Sequence, residues 1–188
     1  MSAPEINVTR RPDGIRLAFA DLTEQINNIA AVRALNKTAT TVRAEAARRV
    51  RSEYSIKIGA AKEQMVIRRA TARDVRSAIV VSGRPIPLVE FSANRTGRGV
   101  SVKIKGARKV ITHAFIARMR SGHRGVFIRE IINGKRGARL PIRELFSLSL
   151  PTAFSQKQII AALEQVAAAR YTETLAQEVR YLELKRAA

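Results

Sequence analysis

Apolar residues in the first quarter of the chain recur at helical spacing. Val32, Leu35, Ala39, Val42, Ala46 and Val50 fall on one stripe at about 100° per residue, with Arg33, Lys37, Arg48 and Arg51 nearly opposite. Asp21 followed three residues later by Glu24 is a capping-box pattern, so the spacing predicts a long helix running to about Ser52. At 1.5 Å per residue it would span about 45 Å, longer than a domain of this size needs. The expectation is that part of it packs on a neighbouring subunit, through Val32, Leu35, Val42 and Val50.

The pattern then changes. A shorter helix is predicted over 59–70, and strands over 77–83, 99–105, 113–119 and 125–131, separated by Gly and basic turns. The Pro-rich stretch between the first two strands reads as a long excursion, since proline is a poor fit to a central strand. An extended segment over 139–154 is expected to close at Pro151. Ser155 and Gln158 then open a last helix, with Ile159, Leu163, Val166, Leu175, Val179 and Leu182 at helical spacing. Elements in blocks rather than strict alternation predict an α+β fold: a long N-terminal helix, a central antiparallel sheet with long loops, and a C-terminal helix. Residues 1–14, broken by Pro4, Pro12 and Gly14, read as a flexible arm, and 15–188 as a single domain.

The strand at 99–105 alternates cleanly. Val100, Val102 and Ile104 take one face, and Ser101, Lys103 and Lys105 the other. Arg98 precedes it, and Arg108 and Lys109 follow Gly106. Its polar face is therefore strongly basic, and charge changes the picture for the whole chain. In 188 residues, 35 Lys and Arg oppose 15 Asp and Glu, a net +20. From Arg68 to Arg124 fourteen basic residues face only Asp74 and Glu90, leaving +12. An ordinary surface mixes signs, so this excess points to a polyanionic partner, either a nucleic-acid backbone or an acidic protein. The candidate contacts are Lys103, Lys105, Arg108 and Lys109, then Arg95 and Arg98. With no Trp and 5% aromatics, stacking on single strands and reading of sequence are both disfavoured. Any nucleic-acid contact is expected to be blind to sequence and sensitive to salt.

Candidate chemistry is sparse. No acid occurs between Phe91 and Arg129, so the middle of the sheet offers no carboxylate pair. His113 and His123 lack a zinc-binding spacing and read as a strand and a loop histidine. No phosphate loop or nucleophile elbow is present. The absence of cysteine rules out disulfides and thiolate metal sites. The expectation is a non-enzyme with no cofactor and no metal. No apolar run approaches the ~20 residues of a membrane span, and the opening segment lacks the apolar core of a signal peptide. A soluble protein made in the cytosol, with no membrane partner, is expected.

The carboxy half carries Pro85-Ile86-Pro87-Leu88, then Gly99-Val100 with Val102, then Ala114-Phe115-Ile116. Val126-Phe127 with Arg129 and Leu140-Pro141-Ile142 with Glu144-Leu145 follow in order. In this block order the chain, from about Phe19 to Tyr181, resembles the minor tail protein Z family of long-tailed phages. It departs from the family at Ser147-Leu148-Ser149, where a Gly-Pro-Ser-like turn would stand. The resemblance implies a structural virion protein that completes the tail at its head-proximal end and helps position the DNA end. It implies assembly in the host cytoplasm as a ring, a hexamer being favoured. The partners implied are the tail terminator, tube and connector, with the double-stranded DNA backbone in the passage. The competing reading is a free, sequence-nonspecific nucleic-acid-binding protein, such as a chromatin-like or RNA-packaging factor.

Overall fold

The computed structural model describes residues 5–9, 24–132, 135–136, 141–154 and 157–187. In chain order these form β1 (Glu5–Thr9), α1 (Glu24–Glu53), α2 (Ile58–Glu63), β2 (Met65–Arg68), β3 (Arg76–Val81), β4 (Pro85–Pro87) and a 3-10 turn (Leu88–Glu90). Next come β5 (Asn94–Thr96), β6 (Gly99–Val102), β7 (Lys109–Thr112), β8 (Phe115–Arg118), β9 (Arg124–Arg129), β10 (Ile131–Ile132) and β11 (Lys135–Arg136). The chain closes with β12 (Ile142–Glu144), β13 (Phe146–Ser149), α3 (Leu150–Phe154) and α4 (Lys157–Ala187). Two long helices and several small antiparallel sheets make an α+β fold, as the blocked pattern predicts. The capping residues Asp21 and Ser155 lie outside the described residues.

Contacts separate the chain into two compact units. The first comprises Met1–Ala46, Met65–Ser82 and Phe154–Ala188, the second Ala47–Gln64 and Gly83–Ala153.

In the first unit β3 is the centre of a three-stranded sheet ordered β1-β3-β2. Its run of Ala78, Ile79, Val80 and Val81 suits a strand with neighbours on both sides. Residues 5–9, inside the segment read as an arm, form β1 and pair with β3 from Glu5↔Val80 to Thr9↔Arg76. β2 occupies ground predicted as helix. The helix α2 stops at Glu63, and Met65–Arg68 pair with β3 from Met65↔Val81 to Arg68↔Ala78. Met65 is buried and Val66 exposed, the period of a strand. Phe154, Leu35, Met65, Ile79, Leu163, Val42 and Val81 are the largest fully buried side chains here. Each buries about 1.5–3 kcal/mol of apolar transfer free energy. On α1 and α4, buried Glu178 pairs with Lys37 and, at 3.6 Å, with Arg33.

The predicted stripe of α1 is real, but this chain itself buries it. Leu35, Val42 and Val50 are inaccessible and Val32 is half-buried. The residues of α1 up to Ala46 belong to the first unit and those from Ala47 to the second. Arg33, Lys37, Arg48 and Arg51 are exposed, as their opposite placement requires.

The second unit contains sheets β5-β6-β7 and β12-β9-β8, with the pairs β13-β4 and β10-β11. Backbone bonds join the pieces: Leu88 N–H to the Leu145 carbonyl (3.0 Å) and Leu145 N–H to that of Val126 (2.8 Å). Phe91, Ile86, Val100, Val126 and Leu150 form its core. The Pro-rich excursion holds β4, which among the described residues pairs only with β13, at Pro85↔Ser149 and Pro87↔Phe146. A strand with one partner tolerates proline, whose missing N–H then breaks no ladder. Ser147, Leu148 and Ser149 continue β13. Pro151 does not end the extended segment but sits in the first turn of α3, where its missing N–H costs nothing.

Candidate polyanion interface

The positive charge is unevenly shared. The second unit holds twenty Lys and Arg against five Asp and Glu, +15 of the chain's +20. All six residues singled out as candidate contacts belong to it, on or beside the sheet β5-β6-β7, and all six are exposed.

That sheet is shorter than predicted. β6 ends at Val102, and Lys103, Lys105 and Arg108 stand in the loop that leads to β7. Arg98 lies in the turn before β6, and Arg95 on β5 pairs with Val100. Lys109 opens β7 opposite Val102. In an antiparallel sheet directly opposed residues share a face, so Arg95, Val100, Val102, Lys109 and Ile111 lie together. Val100 and Val102 on the central strand are buried, while Arg95 and Lys109 flank them from the edge strands. Four residues at about 3.3 Å separate the Arg98 turn from the Lys103–Arg108 loop, which puts them at opposite ends of β6.

The other face of β6 is not open to solvent as alternation suggests. Ser101 is only 7% exposed because Arg108 folds back over it. The guanidinium donates from Nε to Ser101 Oγ (3.0 Å), and from Nη2 to the carbonyls of Ser92 (2.7 Å) and Ser101 (3.3 Å). Arg108 thus staples the loop to its own sheet. Lys105 is also engaged: its ammonium pairs with Glu53 and lies 5.4 Å from the centre of the Tyr54 ring. No ion pair among the described residues engages Arg95, Arg98, Lys103 or Lys109.

The hydrogen bond to Glu53 raises the Lys105 pKa above 10.5, opposed by some loss of hydration and assisted by the charges of Glu53 and Tyr54. A raised cation pKa stabilises the fold below the ordinary value and loses that contribution as pH climbs through the raised one. The Tm difference between wild type and Glu53→Gln is therefore expected to stay constant from neutral pH to about 10.5 and to shrink above it. A difference that persists undiminished well above pH 10.5 would contradict this assignment.

The histidines are structural features of turns. His113 holds φ +65° between β7 and β8, its N–H on the Arg98 carbonyl at 3.0 Å. His123 Nε2 lies 2.8 Å from Glu144 Oε1. Among the described residues no group of three His, Asp or Glu could hold a metal ion, and no helix is long and apolar enough to cross a membrane. A shallow groove lined by Arg33, Lys37, Glu178 and Tyr181 holds one carboxylate already matched by two cations. Sequence reasoning missed the anchors Glu53 and Ser101. Glu53 lies 52 residues from Lys105, and Ser101 becomes a partner only once β7 is known to fold back on β6.

What these features define is an α+β protein whose second unit concentrates exposed cations, of which Arg95, Arg98, Lys103 and Lys109 have no ion pair among the described residues. The sequence profile described as Prophage minor tail protein Z (GPZ) matches residues 14–186, and the chain belongs to that family. It therefore has a structural role in a phage tail and is part of the virion. No curated relative and no solved structure matches it.

Proposed function

We propose that the protein completes the tail at its head-proximal end and helps hold the DNA end in the passage, acting as a ring. Residues 15–188 serve as one tail-completion domain built of both units. The observation that carries this reading is the +15 gathered on the second unit, with Arg95, Arg98, Lys103 and Lys109 exposed and unmatched. These four contact phosphates of double-stranded DNA, while Lys105 and Arg108 hold the loop in shape. Six copies at +20 would carry +120, and such a ring repels itself unless phosphates or acidic neighbours offset the charge. Tail terminator, tube and connector are the protein partners in this reading, and assembly takes place in the host cytoplasm. The family supports the tail role, and the shortage of aromatics favours backbone contact over base reading.

The test is a phage carrying Arg95→Glu, Arg98→Glu, Lys103→Glu and Lys109→Glu. All four side chains are exposed and the Arg108 staple is untouched, so Tm should hold within a few degrees while infectivity falls by orders of magnitude. An undiminished titre would overturn the contact. Light scattering of the purified protein at low and high salt reads the ring: a discrete oligomer at both salts is expected, and a monomer at both would overturn self-assembly.

A further inference from the structure

A second group of cations, on the sheet β12-β9-β8, is held in a more constrained way. β8 and β9 form a hairpin in which Arg118 stands directly opposite Arg124. Like charges in directly opposed positions destabilise a strand pair, so this arrangement asks for a compensating feature. None is built in. Arg118, Arg120 and Arg124 are all exposed, and among the described residues no carboxylate pairs with any of them. Glu144 on β12 is the nearest acid in the same sheet. It stands opposite Phe127, on the face that alternates away from Arg124, and its Oε1 is engaged by His123 at 2.8 Å.

The hairpin is also closed by hydrogen bonds. Met119 N–H donates to the His123 carbonyl at 2.7 Å, and Gly122 N–H to that of Met119 at 2.9 Å. Gly122 takes φ +86°, a conformation that favours glycine. Arg118 Nε donates to the Gly122 carbonyl at 3.1 Å, a bond that does not use either terminal nitrogen of the guanidinium. Arg118 and Arg124 at the strand ends and Arg120 in the five-residue turn between them thus present three guanidinium groups, and no ion pair among the described residues neutralises them.

The geometry points to this hairpin as an arginine clamp for the phosphodiester backbone of duplex DNA, an inference that rests on the polyanion reading above. Guanidinium forks match phosphate oxygens two at a time, and their planar shape limits the freedom lost on contact. The tip offers no aromatic anchor of the kind that dominates protein interfaces. Phe115 and Phe127 lie on the face away from Arg118 and Arg124, where Arg129 stacks 5.9 Å over Phe115. Without an aromatic platform a single strand gains little, so a double-stranded backbone fits best.

The test uses the full chain and a short labelled duplex, with anisotropy titrations over a range of salt. Each lost phosphate contact lowers the slope of log K against log salt by about 0.9. Arg120→Gln/Arg124→Gln keeps the Arg118–Gly122 bond and therefore the hairpin, and is expected to lower the slope by about 2. Arg69→Gln/Arg73→Gln removes the same charge from exposed positions of the first unit and should leave the slope unchanged. Equal effects of the two variants would reduce the hairpin to bulk charge and overturn the clamp. Wild-type binding with no effect of the hairpin variant overturns this inference alone and leaves the contacts on the sheet standing. A wild type that ignores duplex at low salt overturns both, and one that binds poly-glutamate instead overturns the choice of partner.

Discussion

Gly99→Ala is expected to destabilise the second unit by about 3–5 kcal/mol, a large share of the 5–15 kcal/mol that holds a typical domain. Gly99 opens β6 with φ +153°, paired with Thr96 on one side and Thr112 on the other. A Cβ built there falls on the carbonyl oxygen of Ile111 and stands 3.0 Å from His113 N. Both neighbours are backbone, so no side-chain rotation can relieve the overlap, and β7 must move away. The His113 N–H is already committed to the Arg98 carbonyl at 3.0 Å, so a shift of β7 also loosens the turn before β6. The control is Gly97→Ala, two residues earlier, where an added Cβ meets nothing within 4 Å. Urea unfolding of both variants separates the cases: the Gly97 variant should match wild type within about 0.5 kcal/mol. A Gly99 variant equally close to wild type would mean that β7 does not approach β6 as described.

The same sheet shows where sequence reading reaches and where it stops. The alternation over Val100, Ser101 and Val102 marks β6 correctly, because side chains on a strand point to opposite faces whatever surrounds them. Alternation says nothing about what covers each face. Ser101 is buried by an arginine that returns from seven residues later, and that return depends on β7. β7 itself was hidden. The run from Lys109 to Arg118 has no Gly or Pro to divide it, yet the chain turns at His113, a non-glycine residue at φ +65°. Residues 65–68 fail for a related reason. "MVIR" follows a helical stretch without a breaker, and only pairing with β3, at Met65↔Val81 and onward, makes it a strand. Long-range pairing overrides local pattern in both places.

The helices were more legible, since a stripe repeated over several turns admits little else. Their use was not. The length of α1 reads as contact with a neighbouring subunit, whereas Leu35, Val42 and Val50 are inaccessible within the chain itself and the helix divides between its two units. Charge was legible in amount but not in allocation. The basic window from Arg68 to Arg124 cuts across both units, because Arg68, Arg69, Arg73 and Arg76 belong to the first. Nor does composition tell an unmatched cation from one already engaged. Lys103 and Lys105 are two residues apart, and only the second meets a carboxylate, from Glu53 at the end of α1.

Asn36→Leu is expected to cost the first unit about 2–4 kcal/mol, although the substitution improves both helix propensity and hydrophobicity. Asn36 lies in the middle of α1, and its amide acts as a strand would: Nδ2 donates to the Ala70 carbonyl at 3.0 Å, and Oδ1 accepts the Ala70 N–H at 2.9 Å. Ala70 is only 4% exposed. Removing the amide leaves a buried donor and a buried acceptor without partners, each costing about 1–3 kcal/mol. This pair also ties the segment after β2 to the helix, across 34 residues of sequence. Asn36→Asp separates the two bonds. It keeps the acceptor for the Ala70 N–H but sets a carboxylate oxygen against the Ala70 carbonyl, so at neutral pH it should be at least as damaging as the leucine. Protonation restores a donor at that oxygen, and the proton is held more tightly folded than unfolded. The deficit of the aspartate variant relative to wild type should therefore narrow as pH falls into the carboxylate range, while that of the leucine variant stays fixed. Tm measured for the three proteins from neutral to mildly acidic pH decides the matter. Parallel curves for the two variants would mean that Asn36 acts through packing rather than through its paired bonds to Ala70.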